Sequence, residues 1–233
     1  MKSGRSLYGK KSTNKLNISS SWDIMKARRN YTVICAKWSF AIGQIKEELY
    51  GQIEENDGSI VLSDDFHIIK LSAKAELIKE FVPFETNNKR LINKLFSYFE
   101  RKALNGEYYE DLEKLNALII NLMCKLTESE VIETEFGAMN LNALFKAIDF
   151  RLNEEKYSLE ESVVNYMMNV CELDGNKIFV FLNLMSFIDE EQRELFFKTI
   201  VDHRFNTLFL EPRAVNPHNL VNQIIIDEDF CVI

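Results

Sequence analysis

Glu128, Glu130, Glu133 and Glu135 form a close set of carboxylates that could hold a metal ion. On a helix, positions about one turn apart bring some of their oxygens towards one side. Hard cations such as Ca²⁺ take several carboxylate and carbonyl oxygens in a flexible cage. A glutamate-rich helix face is more often simply solvated, so the residues alone leave both readings open. The spacing is not that of an EF-hand. A second set, Asp227, Glu228 and Asp229, follows the apolar run Ile224-Ile225-Ile226. Carboxylates at the carboxyl end of a strand can hold the metals of a nuclease. The Pro-Asp and Glu-x-Lys pair of restriction-type nucleases is not evident, which favours a turn or capping role. Gly4 to Lys11 imitates the phosphate loop G-x-x-x-x-G-K-[ST], but Lys11 takes the hydroxyl position and no strand precedes Gly4. No ATP site is expected there. His67, His203 and His218 are scattered, with no metal or hydrolase spacing.

Charge points elsewhere. The chain carries a formal net charge of -8, yet residues 1–30 hold Lys2, Arg5, Lys10, Lys11, Lys15, Lys26, Arg28 and Arg29 against Asp23 alone. A basic arm on an acidic body suits nucleic-acid binding, which follows the local field rather than the net charge. A solvated terminus, or a start codon placed upstream of the true one, gives the same composition. Beyond the arm the cations are dispersed. They are Lys70, Lys74 and Lys79, then Lys89, Arg90 and Lys94, then Lys146 and Arg151, and Lys70 and Lys74 fall four apart and share a face if that segment is helical. Repeated by symmetry around an oligomer, such lysines could line a positive channel.

The elements that must position these groups are mainly helical. Three prolines and eight glycines argue against a turn-rich β sandwich, and 46% apolar residues suffice for a full core. Cys35, Cys124, Cys171 and Cys231 show no C-x-x-C pair, and there is no apolar run long enough to span a membrane. A soluble, reduced, cytoplasmic protein is expected.

Tyr31–Cys35 reads as a strand, Phe40–Ile53 as an amphipathic helix, Asn56-Asp57-Gly58 as a turn before a strand at Ser59–Leu62, and Leu71–Phe81 as a helix. Lys89–Leu104 and Glu110–Leu126 read as two long helices forming an αα-hairpin about Asn105-Gly106. Thr127–Phe136 and Leu141–Ile148 continue helically, and a Leu159–Val170 helix follows. Two apolar strands, Lys177–Asn183 and Thr207–Leu210, joined by a helix, give a parallel βαβ unit buried on both faces. The expected fold is α/β: a head with a mainly parallel sheet flanked by helices at 31–84 and 145–233, interrupted by an inserted helical leg at 85–144, after a basic arm at 1–30.

Leu208-Phe-Leu-Glu-Pro-Arg213, Ile226-Asp-Glu-Asp-Phe230, Leu144-Phe-Lys-Ala-Ile148, Ile178-Phe-Val-Phe-Leu-Asn183 and Leu49-Tyr50 leading to Glu54-Glu55-Asn56-Asp57, taken in order, resemble the small ring-forming adaptation protein of type II-A CRISPR systems. The resemblance covers residues 31–233 and leaves the basic arm unmatched. It implies a homotetrameric ring that binds linear double-stranded DNA through a lysine-lined hole and threads on at free ends. It also implies partnership with the CRISPR integrase and effector proteins of spacer acquisition, and no nuclease or ATPase activity. Structural Ca²⁺ is implied too, on an acidic stretch that falls on Glu128, Glu130, Glu133 and Glu135, with Val131 where relatives carry an acid. The DNA-binding candidates are Lys70, Lys74, Lys146, Lys26, Arg28 and Arg29. The alternatives are a metal-dependent nuclease using Asp227, Glu228 and Asp229, and a protein-binding scaffold without DNA contact.

Overall fold

The computed structural model describes residues 32–36, 47–54, 62–64, 67–154, 157–216 and 219–226. It divides into two compact units, Met1–Lys79 with Ile178–Ile233, and Glu80–Lys177.

In the first unit, strands β1 (Thr32–Ala36), β2 (Leu62–Asp64), β3 (His67–Ile69), β4 (Ala75–Ile78), β5 (Ile178–Leu182), β6 (Asn206–Glu211) and β7 (Asn222–Ile226) accompany three helices. These are α1 (47–53), α2 (Leu71–Lys74) and α7 (Glu190–Asp202). The apolar runs Ile178–Leu182 and Thr207–Leu210 leave no polar face. A strand of that kind is stable only where both faces are covered, as inside a parallel sheet. Phe179, Val180, Phe181, Leu208, Phe209 and Leu210 are buried accordingly. β5 and β6 pair in parallel with Phe181 opposite Phe209, whose rings stack at 5.2 Å. The crossover helix α7 closes the unit by setting Phe196 and Phe197 edge-on to Phe209 at 6.2 and 5.8 Å. Such ring pairs add roughly 0.5–1.5 kcal/mol each beyond their buried area. β1 runs parallel to β6 and to β7, and β4 runs parallel to β5. The sheet order is therefore β4-β5-β6-β1-β7, with β2 and β3 as a separate antiparallel pair.

The helix expected over Leu71–Phe81 is a correction. Only one turn, Leu71–Lys74, is helical, and Ala75–Ile78 is the strand β4. Leu71, Ala75 and Ile78 are buried at spacings that suit a helix. Four residues of ladder against β5, from Ala75↔Ile178 to Ile78↔Phe181, override so short a period.

The second unit contains α3 (Lys89–Ala103), α4 (Tyr109–Thr127), α5 (Leu141–Ala147) and α6 (Leu159–Asp174). Three starts are capped by side chains: Asn88 accepts from the Leu91 amide, Asn140 from the Ala143 amide, and Ser158 with Glu161 forms a capping box. α3 buries Leu91, Leu95 and Phe96 and packs chiefly against α5 and α6. Phe96, Phe99, Phe145 and Phe150 make the aromatic centre, with Phe99 on Phe150 at 5.2 Å and Phe96 on Phe145 at 5.4 Å. These contacts draw residues after 144 into the helical unit, which is wider than the 85–144 read from sequence. The two long helices do follow one another across residues 104–108, but α4 buries none of its residues and leaves Leu112, Leu115 and Ile120 half-buried, so the expected hairpin is not a tightly packed one. The helical continuation expected over Thr127–Phe136 is also absent: α4 stops at Thr127, and residues 128–140 have no helix or strand. The Thr127 hydroxyl donates back to the Met123 and Cys124 carbonyls at 3.0 and 3.2 Å. Acidic residues beyond that point oppose the negative end of the helix dipole.

Asp174 fastens this unit. It receives Lys94 at 2.6 Å, Lys177 at 2.9 Å and Arg90 at 3.2 Å, with its own side chain 14% and that of Lys177 7% exposed. Burial pushes its pKa up, but hydrogen bonds from Lys94 and Lys177 and their charges outweigh this and bring it down to about 2 from 3.8. A lowered carboxylate pKa contributes stability that is fully present above the unfolded value and is lost as pH falls towards about 2. Asp174→Asn is expected to destabilise the helical unit by roughly 2 kcal/mol at neutral pH. The difference from the parent should shrink as the pH drops through that window, as read by urea titrations followed by circular dichroism. An equal difference at pH 7 and at pH 2 would refute the assignment.

Candidate functional site

The carboxyl ends of the central strands are where parallel α/β sheets ordinarily bind ligands. Here the ends of β5 and β6 are braced by the protein's own scaffold. The buried Glu211 carboxylate, at the end of β6, accepts the Met185 amide at 3.1 Å. Arg193 of α7 donates Nη2 to the Met185 carbonyl at 2.7 Å and Nε to the Ile188 carbonyl at 3.1 Å. Asn183, left-handed at φ 62°, donates its amide to the Leu210 carbonyl at 2.9 Å and accepts the Ser186 hydroxyl at 2.6 Å. The Leu-Glu-Pro-Arg segment therefore positions the turn after β5 through Glu211. Its role was not legible in the sequence, because the partner groups are backbone atoms 26 residues away.

The cations differ in their surroundings. Arg90, Lys94 and Lys177 surround Asp174, and Lys114 lies beside Asp111 at 3.4 Å. Lys70, Lys74 and Lys146 are exposed, and none has a carboxylate partner among the described residues, a state they share with other exposed cations such as Lys89, Lys102 and Lys198. Lys70 is the cap residue of α2 and Lys74 its last residue, so the two bracket a single turn rather than sharing a helix face. Lys146 lies in the last turn of α5, in the other unit. Lys26, Arg28 and Arg29 lie outside the described residues, as do the Gly4–Lys11 segment, His218 and Asp227, Glu228 and Asp229. His203 stacks on Phe205 at 5.3 Å, a packing role.

Glu128, Glu130, Glu133 and Glu135 are all exposed, and they lie on the irregular segment after α4 rather than on a helix face. Among the described residues no three His, Cys, Asp or Glu side chains gather as a metal cage would require. As placed, these residues do not fit a calcium site.

The architecture is that of an α/β protein: a parallel sheet whose chain is interrupted by a helical unit. The chain belongs to the family of the CRISPR-associated protein (Cas_Csn2), whose model matches residues 52–230. Among solved structures it is similar to the crystal structure of Stu0660 of Streptococcus thermophilus. The TM-score is 0.57 at 16% identity, covering 87% of this chain and 70% of that one, which speaks for a shared fold. No curated protein matches the sequence. Among the described residues no helix is long and apolar enough to cross a membrane.

Since Glu211 serves the scaffold, Glu211→Ala is expected to cost about 1–3 kcal/mol of stability by orphaning the buried Met185 amide. Glu211→Gln, which keeps an acceptor oxygen, should cost less. Thermal unfolding of the two variants checks the order, and equal losses would argue against the hydrogen bond as the cause.

Proposed function

We propose that this chain is a non-catalytic, ring-forming protein that holds the ends of linear double-stranded DNA during CRISPR spacer acquisition. In this reading the sheet unit is the head, the helical unit is the leg, and the working form is a homotetramer presented to the integrase and effector proteins. Family membership supports the CRISPR setting. The observation that carries the DNA reading is that Lys70, Lys74 and Lys146 are exposed without a carboxylate partner among the described residues, whereas Arg90, Lys94 and Lys177 share the carboxylate of Asp174.

Backbone phosphates are the fitting target for such lysines. Point charges on flexible stems lack the bidentate fork that reads guanine, so binding should follow charge and shape rather than sequence. The basic residues Lys26, Arg28 and Arg29 would add to the same field. Calcium on Glu128, Glu130, Glu133 and Glu135 belongs to this proposal only if segment 128–136 changes its arrangement on binding.

Binding to linear duplex and to the same duplex as a closed circle, with Ca²⁺ and with chelator, separates the readings. A ring loading at ends should bind the linear form alone. Lys70→Gln with Lys74→Gln should weaken binding evenly across sequences and flatten the log–log salt dependence by about 0.9 for each phosphate that is no longer neutralised. Equal binding to both forms would reduce the protein to a basic surface, and cleavage of the DNA in Mg²⁺ or Mn²⁺ would favour the nuclease alternative.

A further inference from the structure

Asn105 and Gly106 lie in the turn between α3 and α4, and both are exposed. Among the chain's asparagines only Asn105 precedes a glycine. In such a step the backbone nitrogen of the second residue can attack the asparagine side-chain carbon, and a glycine puts no side chain in the way. Three features of this turn favour the attack. Gly106 has its backbone at φ 101°, with nothing within 4 Å of where a Cβ would stand, so the space in which a ring would close is open. Its amide donates no hydrogen bond among the described residues, so no partner has to be given up. The Asn105 side-chain oxygen accepts the Glu107 amide at 3.3 Å. That bond folds the side chain back over the Gly106 peptide and polarises its carbonyl carbon towards a nucleophile.

We propose that Asn105 is a site of self-modification, which loses its amide and becomes an aspartyl or isoaspartyl residue. The Gly106 nitrogen gives its proton to hydroxide and bonds to Asn105 Cγ. The bond from Cγ to the side-chain nitrogen breaks, and that nitrogen takes up a proton and departs as ammonia. Water then opens the cyclic imide. Cleavage at Cγ leaves aspartate, and cleavage at the main-chain carbonyl leaves a backbone that runs through Cγ. Nothing is oxidised or reduced, and water is the only co-reactant. Either product adds a negative charge beyond the last turn of α3, which carries Arg101 and Lys102. The isoaspartyl product also lengthens the connection by one methylene, and α4 has no buried residue to hold its course when that turn changes. Asp174-Gly175 is the opposite case. It could close the same ring with loss of water, and Gly175 is likewise open, at φ 76°. Its carboxylate, however, is tied to Lys94 at 2.6 Å and to Lys177 at 2.9 Å, and an ionised, tied carboxylate is a poor electrophile.

Incubating the full chain at mildly alkaline pH, folded and in guanidinium, with peptide mass spectrometry at intervals, tests this. In the folded chain Asn105 is expected to lose its amide before any other asparagine, at close to the rate seen in guanidinium. That rate should rise about tenfold per pH unit, as attack by a deprotonated amide requires. Isoaspartate at Asp174 is expected only in guanidinium. Asn105→Gln, whose longer side chain would have to close a larger ring, should abolish the loss at that position while circular dichroism stays unchanged. Loss at Asn105 far slower in the folded chain than in guanidinium would overturn the proposal, because the turn would then be protecting the step. Faster loss at another asparagine of the folded chain would overturn it too. So would isoaspartate forming at Asp174 as readily folded as denatured, since the contrast between an open and a tied side chain would then decide nothing.

Discussion

The parallel pairing of β5 with β6 is the constraint on which the sheet unit depends. Both strands are apolar on both faces, so neither can lie at a solvent-facing surface, and each must be covered above and below. Phe209 shows how tightly this is solved: it stacks on Phe181 in the neighbouring strand and meets Phe196 and Phe197 of the crossover helix. β4 adds beside β5, and β1 beside β6. The same pairing brings the end of β6 beside the turn that follows β5. Glu211 then reaches the Met185 amide, and a motif that could have marked a ligand site becomes a brace for it.

The helical unit rests on a different interaction. Asp174 gathers Arg90 and Lys94 of α3 and Lys177 beyond the end of its own helix. Lys177 is buried, so losing the carboxylate 2.9 Å from its ammonium costs more than losing an exposed ion pair. The cluster also has a consequence for function. It engages three cations that sequence alone would have offered equally to phosphate, although its single carboxylate offsets only one of the three charges.

How much was legible in the sequence follows from element length and from what each residue contacts. α3, α4 and α6 repeat their apolar pattern over several turns, and the βαβ unit at Ile178–Glu211 has uninterrupted apolar strands, so their types and positions could be read directly. β4 could not be read, because four residues carry too little period to separate strand from helix, and only the ladder with β5 decides. The segment after Thr127 failed for a related reason: its glutamates fit a helix by spacing, but nothing packs there to hold one. For α4 the pattern was right and the inference from it was not. Periodic leucines indicate a face that needs covering, and they do not say whether the cover lies within the same chain.

That last distinction bears on how a few lysines could hold DNA at all. A single exposed lysine contributes little to binding at physiological salt, and Lys70, Lys74 and Lys146 are few and lie in two separate units. Copies joined in a ring would present the same lysines repeatedly, with each bound phosphate raising the effective concentration of the next. Under the proposed reading, assembly would supply the multiplicity that the monomer's surface lacks and would make DNA binding conditional on it.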